Sequence, residues 1–311
     1  MSKKFVNIHN HTEFSLLDGG TKIEEMFDRA KALGQEALAI TDHGVMHGMI
    51  VAMRAAKKTG IKLLVGCEFY ITPFGRLATD KEFKKGEKSA GHLIAIAKNT
   101  EGYKNLCRLN DLAWSQGFYR KPRIDREMLK DHAEGLIITS ACMAGPISMA
   151  ILNGDKDIAI KEIKFLVETF GEDFYIEIQN HNIAEERIAM DESRKLAIEY
   201  GISMVVGIDS HYLYESDKDA HDALICIGSA QKIDGDRRWK FDGDGYYHMT
   251  EQEVLDRFPE DIEAIYNTGL LADKCNDDII PTGELKLPHF DIPKDKEFSK
   301  WRGDSEWLVK K

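Results

Sequence analysis

Short apolar runs alternate with segments of helical periodicity along this chain. The runs at residues 4–8, 37–41, 62–71, 92–98, 135–140, 173–179 and 203–208 have the length and residue types of strands. Between them, apolar side chains recur at three- and four-residue spacing. Ile23, Met26, Phe27, Ala30 and Leu33 form one such stripe, the buried face of a predicted helix. Thr21-Lys22-Ile23-Glu24 and Thr250-Glu251-Gln252-Glu253 have the capping-box pattern that opens helices. Gly34, Gly60 and Gly201 stand where helices end before an apolar strand. Seven strands with intervening helices predict an α/β fold with a mainly parallel sheet.

The strand ends carry the candidate chemistry. His9-Asn10-His11 and Asp18 follow the first run, Asp42-His43 the second, and Glu68 lies within the third. His92 opens the fourth, Cys142 follows the fifth, and Asp209-Ser210-His211 follows the last. A strand turns successive side chains to opposite faces, so His9 and His11 share a face, as do Asp209 and His211. Imidazole and carboxylate aimed together from several strand ends suit a cluster of divalent metals. An open sheet would spread these groups along a line, so their convergence predicts closure into a barrel.

Each candidate is weighed against a plainer role. A solitary histidine is ordinarily structural or exposed, and His132, His221, His248 and His289 are assigned that role. Glu68 follows the apolar run Leu63-Leu64-Val65-Gly66-Cys67, where a carboxylate is costly unless paired or metal-bound. A salt bridge is the lesser alternative. Most free cysteines are small buried hydrophobes, but the place of Cys142 at a strand end favours a thiolate ligand. Cys67 alternates to the opposite face from Glu68 and belongs in the core. Asp42 alternates away from His43 and is read as orienting a histidine. His181 closes the run at 173–179, as either a substrate contact or an ordinary loop histidine. His92 opens its strand where the other ligands close theirs. It reaches the same cluster only if that strand runs antiparallel to 62–71.

Composition narrows the class. With 311 residues and 43% hydrophobic content, the chain can bury one large core or two modest ones. No apolar run approaches the ~18 residues that a membrane span needs. The five cysteines fit neither a zinc-finger spacing nor a disulfide framework, and the first residues do not resemble a signal peptide. A reduced, cytoplasmic protein without membrane contact is expected. The net charge of −11 makes sequence-independent DNA binding unfavourable, so any nucleic acid must be held locally or delivered by a partner.

Two segments interrupt the alternation: the Lys-rich stretch 72–91, read as an exposed loop, and 228–248, read as an irregular connection rich in Gly and Asp. The expected organisation is a barrel over 1–228, an extension over 229–290 whose helices pack on it, and a tail over 291–311. The tail ends as a helix that has barely begun, as though the polypeptide continued in a longer or neighbouring gene product. Trp301 and Trp307 there are candidates for a docking surface.

The spaced ligands resemble those of the polymerase and histidinol phosphatase (PHP) family of metal-dependent phosphoesterases. The flanking residues narrow the resemblance to the PHP domain of the bacterial DNA polymerase III alpha subunit. They are His9-Asn10-His11-Thr12-Glu13-Phe14-Ser15-Leu16-Leu17-Asp18-Gly19, Ile40-Thr41-Asp42-His43-Gly44, Gly66-Cys67-Glu68-Phe69-Tyr70, His92-Leu93-Ile94, Gly117-Phe118-Tyr119-Arg120-Lys121-Pro122-Arg123 and Leu287-Pro288-His289-Phe290. The resemblance implies a distorted seven-stranded (β/α)7 barrel with extra C-terminal helices, and three divalent metals. One metal would be held by His9, His11, Glu68 and Asp209. Glu68 would bridge to a second, held also by His92 and Cys142. Asp18, His43 and His211 would hold the third. All nine positions match. Mixed N, O and S ligands suit zinc or manganese, with iron also compatible and zinc favoured slightly by Cys142.

The activity so implied is 3′–5′ exonucleolytic proofreading, with hydrolysis by metal-activated water and with Asp18, Glu68 and Asp209 central to catalysis. Arg120, Lys121 and Arg123 are candidate phosphate contacts, against the plainer reading of a solvated turn, and Tyr119 is a candidate for base stacking. The expected partners are a DNA 3′ end, single-stranded or mismatched, and a polymerase core in the same or a split polypeptide. The chain stops before the family's polymerase carboxylates, so polymerisation by this chain alone is not expected. Two alternatives stay open: a phosphomonoesterase of the histidinol-phosphatase type, and a catalytically silent metal-stabilised scaffold that docks the polymerase.

Overall fold

The structure, a computed structural model, describes residues 4–16, 18–73, 75–79, 89–235 and 238–283. The chain divides into two units, the first ending at Ile279. In chain order the first unit contains α1 (Ile23–Ala32), β1 (Ala37–Ile40), α2 (Met49–Thr59), β2 (Lys62–Ile71), β3 (Gly91–Ala97), α3 (Thr100–Ser115), β4 (Arg123–Ile124), α4 (Arg126–Asp131) and β5 (Leu136–Thr139). It continues with α5 (Pro146–Leu152), α6 (Lys156–Phe170), β6 (Phe174–Ile178), α7 (Ala184–Tyr200), β7 (Met204–Val206), α8 (Lys218–Gly228), α9 (Glu251–Arg257) and α10 (Ile262–Asp273).

The strands form one seven-stranded sheet, ordered β1-β2-β3-β5-β6-β7, with β4 paired to β2 off that path. β1 and β2 are parallel, as are β5, β6 and β7. β3 runs antiparallel to both of its neighbours. The reversal between β2 and β3 is the one required by His92, and it sets His92 opposite Tyr70.

Two expectations about the strands change. The run at 4–8 forms no regular strand. Asn7 makes an isolated parallel bridge to Leu38, and Asn10 makes one to Ser210. Side chains take up the backbone groups that a ladder would use: the Val6 N–H donates to Thr268 Oγ1 at 2.9 Å, and Asn10 Nδ2 donates to the carbonyls of Asn7 and Ala39. The sheet is curled, and the N-terminal segment makes isolated bridges to β1 at Leu38 and to Ser210 beyond the end of β7, without the regular first strand of the expected seven-stranded barrel. The seventh strand is β4, formed by Arg123–Ile124 beside Tyr70 and Ile71, where the sequence read as a basic turn.

The core lies on the sheet. Val6, Ile8, Leu64, Ile94, Ile96, Ile137, Val205 and Leu271 belong to one buried cluster. Each such aliphatic side chain contributes about 1.5–3 kcal/mol on burial. Ile23, Met26, Phe27 and Ala30 of α1 are buried, as their spacing predicts. That helix does not start on a capping box. It begins at Ile23 with Lys22 as N-cap, and Glu13, from the preceding loop, accepts the Ile23 N–H at 2.9 Å. The box at Thr250 does form, with Glu253 returning the bond. Gly60 and Gly201 end α2 and α7 in left-handed conformations that a Cβ would disfavour.

The helices beyond residue 229 pack within this unit. Asn267 on α10 donates to the Met204 carbonyl at the start of β7. A Cβ on Gly269 would come within 2.4 Å of the Lys4 carbonyl oxygen, so α10 also lies against the N-terminal segment. The Lys-rich stretch falls partly, and the tail with Trp301, Trp307 and His289 wholly, outside the described residues. Among the described residues no helix is long and apolar enough to cross a membrane.

Candidate metal centre

Side chains up to 202 residues apart in sequence meet at one end of the sheet. His9 and His11 leave the N-terminal segment side by side, with Nε2 atoms 3.2 Å apart. Asp209 Oδ1 lies 3.2 Å from His9 Nε2 and 3.1 Å from His11 Nε2. Glu68, at 1% exposure, projects from β2 among three imidazoles: its carboxylate contacts His43 Nδ1 and lies 2.9 Å from His92 Nδ1 and 3.5 Å from His9 Nε2. Asp18 Oδ2 is 3.3 Å from His43 Nε2. The His11 ring stacks between those of His43 and His211, at 4.0 and 4.3 Å. Cys142 Sγ is 3.6 Å from His92 Nδ1. All nine candidate ligands thus gather in one place.

Hydrogen bonds behind the cluster set which nitrogen each imidazole presents. His9 Nδ1 is 2.6 Å from Glu177 Oε1, so Nδ1–H donates there and Nε2 faces inward. His11 Nδ1 donates to Ser15 Oγ at 3.0 Å, and Ser15 Oγ donates in turn to Asp42 at 2.7 Å. Asp42 therefore orients a histidine as expected, although it is His11 through Ser15 and not the adjacent His43. His211 Nδ1 donates to the Asp209 carbonyl at 2.8 Å.

The backbone is shaped to the same end. Asp209 adopts φ +52 and Ala141, just before Cys142, φ +56. The left-handed region is uncommon for alanine and costs on the order of 1–3 kcal/mol, here spent where a ligand is presented. Gly19 follows Asp18 because a Cβ there would sit 1.9 Å from the Thr12 carbonyl oxygen.

The charges are those of a cation site. Burial opposes ionisation of Glu68 and Asp209, yet both carboxyls are held well below the usual range, Glu68 by His92 and His43, Asp209 by His9 and His211. Burial works against the charge on Asp18 too, and His43 holds it down. His11 is pushed down to about 3 by burial and by His43 and His211. His211 is lowered, mainly by burial. Burial also disfavours charge on His9 and His43, but Asp209 and Glu177 raise the first, and Asp18 and Glu68 the second, well above the imidazole range. Burial, reinforced by Glu68 and Asp209, pushes the Cys142 thiol far up.

The donor atoms fit divalent cations. Both Glu68 carboxylate oxygens, Asp18 Oδ1, Asp209 Oδ1 and His211 Nε2 are buried without a hydrogen-bond partner. Orphaned buried acceptors are costly, and here they point at one another. Three sets of donors lie close enough to hold an ion each: His9, His11 and Asp209; His43, Glu68 and His92; His11, His43 and His211. Solvent reaches the cluster at Asp18, His43 and His92, whose side chains are 18%, 13% and 18% exposed.

The candidate substrate residues divide. Arg123 is 1% exposed and donates to the carbonyls of Gly117, Arg76 and Ala78. His181 is 2% exposed, bonded through Nδ1 to Glu186 and through Nε2 to the Ile208 carbonyl, and stacked on Tyr246 at 3.9 Å. Both are committed to the protein's own framework, because buried polar groups must find partners inside. Lys121 differs: its ammonium lies 4.2 Å from the centre of the Tyr70 ring, which borders His43 and His92. Arg120 is exposed and lies over Tyr119.

Several contributors were passed over in the sequence. Glu177, 5% exposed in β6, is held by His9, Thr139 and Gln179. A carboxylate in the middle of an apolar strand was the available signal. His221 has the structural role assigned to it: its Nε2–H donates to the Asp18 carbonyl at 2.7 Å and anchors that ligand's loop.

Comparison with known proteins places the chain in a family. The model of the PHP domain family matches residues 7–181. The DNA polymerase III subunit alpha of Borreliella burgdorferi is 38% identical over 93% of this chain and 25% of its own length. That of Treponema pallidum is 39% identical over 95% of this chain and 25% of its own. The chain therefore spans about a quarter of the curated relatives it matches. Among solved structures, an amidohydrolase from Chromobacterium violaceum aligns with 67% of this chain and 88% of that one, at 17% identity and a TM-score of 0.41.

Proposed function

This chain belongs to the PHP domain family, and from that premise we propose that it is a metal-dependent phosphodiesterase that removes nucleotides from a DNA 3′ end, as the proofreading activity of a replicative polymerase. The observation that carries the reading is the convergence of nine ligand-type side chains with orphaned buried oxygens and nitrogens on a centre open to solvent. A scaffold alone has no need of that opening. The two relatives named above, both polymerase III alpha subunits, supply the nucleic-acid context.

When bound, divalent zinc or manganese would polarise the phosphoryl group and lower the pKa of water. Three ions is the number this reading assigns. His9, His11 and Asp209 would hold one, and Glu68 and His92 another, with Cys142 adding a thiolate beside His92. Asp18, His211 and His43 would complete the third. The chain's own part is positioning. Glu177 and the Ser15–Asp42 pair fix the imidazoles, so their Nε2 atoms face inward before any ion arrives. Glu68 stays ionised despite burial and lies between two donor sets. Asp18, at the solvent edge, stands where the scissile phosphate would enter. Lys121 is placed to meet a phosphate oxygen on that side, with Arg120 next to it in sequence.

The test uses 3′-labelled single-stranded and mismatched DNA with zinc- or manganese-loaded protein. Release of 3′ nucleotides by the wild type, lost in Asp18→Asn and on chelation, is expected. Bound metal without nucleotide release, even with a polymerase core added, would mark a scaffold. Turnover of histidinol phosphate in place of DNA would mark a phosphomonoesterase.

A further inference from the structure

Beside the metal centre lies a cavity of about 210 Å³ that the nine ligands do not use. Its wall includes the cations Lys218, Arg238 and Lys240, the carboxylates Asp222 and Asp242, and the rings of His221, Phe241 and Tyr246. The Phe241 ring abuts the His211 ring at 4.7 Å and the His221 ring at 5.0 Å, with Tyr246 packed on it at 4.8 Å. Since His221 holds the Asp18 carbonyl, the cavity flanks the ligand at the solvent edge of the centre.

The segment Arg238-Trp239-Lys240-Phe241, which gives Arg238, Lys240 and Phe241 to this wall, interleaves cations with aromatics in a chain whose overall charge is −11. An acidic protein that handles a polyanion needs local cations, and here Arg238 is paired with Asp222 while Lys240 is exposed. Trp239 is 52% exposed, and its ring meets Phe241 edge to face at 5.4 Å. Arg238 is held against Asp222, with Nη1 2.6 Å from Oδ1. Lys218 donates to the Gly243 carbonyl at 3.0 Å.

The wall is also fixed in place. Gly243 has φ +77, and a Cβ there would lie 1.9 Å from the His181 carbonyl oxygen. The Asp244 N–H donates to that same carbonyl, and Asp244 is clamped by Arg257 and Asn182. His181 thus serves the cavity indirectly, by anchoring its loop and stacking on Tyr246.

Building on the phosphodiesterase reading, we propose that this cavity is a subsite for one nucleotide of the single-stranded 3′ end, its base on Phe241, with Trp239 packed beside that ring, and its phosphate met by Lys240. Stacking on an aromatic is tolerant of sequence, and the lysine adds a salt-sensitive contact.

The test measures binding apart from turnover. A 5′-fluorescein dT octamer with phosphorothioate linkages at its 3′ end, resistant to hydrolysis, is titrated into metal-loaded protein. Anisotropy and tryptophan emission are followed together. Wild type should bind with quenching that disappears in Trp239→Phe. Lys240→Ala and Phe241→Leu should each weaken binding about tenfold, and an octamer with an abasic 3′ residue should bind more weakly than dT. Unchanged metal content and melting temperature would show that the variants are folded. If the folded variants bind like wild type, or the abasic octamer binds as tightly as dT, the subsite is refuted, even when wild type trims unmodified DNA. If wild type binds as predicted but never releases nucleotides, the subsite stands and the exonuclease reading falls.

Discussion

Glu177 Oε1 lies 2.6 Å from His9 Nδ1, and both side chains are fully shielded from solvent. A carboxylate behind a ligating imidazole fixes its ring and raises its basicity. Gly207 makes room for this pair, since a Cβ there would fall 1.8 Å from the same oxygen.

Glu177→Gln should therefore lower metal affinity about 10- to 100-fold. Gly207→Ala should do likewise, by displacing the carboxylate. Metal retained after dialysis, measured by elemental analysis, and calorimetric titration both read this. Wild-type affinity in both variants would show that Glu177 does not position His9.

Metal removal should destabilise the fold, because it returns several buried acceptors to an unpartnered state. An ion present at a hundred times its Kd adds about 2.7 kcal/mol, which for a unit of this size corresponds to about 5 °C or more in Tm. Scanning calorimetry before and after chelation measures it. An unmoved Tm would argue against resident metal.

Arg123→Met should cost stability by removing the guanidinium bonds to the carbonyls of Gly117, Arg76 and Ala78, of which Gly117 keeps only the Arg123 backbone N–H. Losing a partner from a buried charged network costs on the order of 2–4 kcal/mol. Urea unfolding reads the loss. A variant as stable as wild type but weaker on DNA would restore Arg123 to the substrate contacts.

Asp173 should make stability pH-dependent. Burial raises its pKa, but hydrogen bonds from Lys98 and Lys274 prevail and hold it below the ordinary carboxyl value. A depressed folded pKa means stabilisation that is complete above the unfolded value of about 3.9 and lost as pH falls through the folded one. The Tm gap between wild type and Asp173→Asn should be constant near neutrality and narrow below about pH 4. A gap that widens in acid would reverse the sign.

Much of the centre was legible because its signals are local. Alternation along β2 separated Glu68 from Cys67, whereas His9 with His11 and Asp209 with His211 converge outside regular strands, Asp209 at φ +52. The position of His92 at the opening of its strand required the antiparallel pair that β2 and β3 form. The capping box at Thr250 forms as its spacing predicts, whereas the one at Thr21 yields to Glu13, whose carboxylate reaches the Ile23 N–H first.

What the sequence by itself determined, then, is which side chains share a face and what chemistry they offer, because those follow from backbone periods of two and 3.6 residues. Tertiary structure alone decided which faces meet. It set Glu177 against His9 across 168 positions, buried Arg123 beside β2, broke the first strand into bridges and stood Phe241 against His211. Those outcomes depend on sheet order and on which buried polar groups find partners, and neither is written in any short stretch of residues.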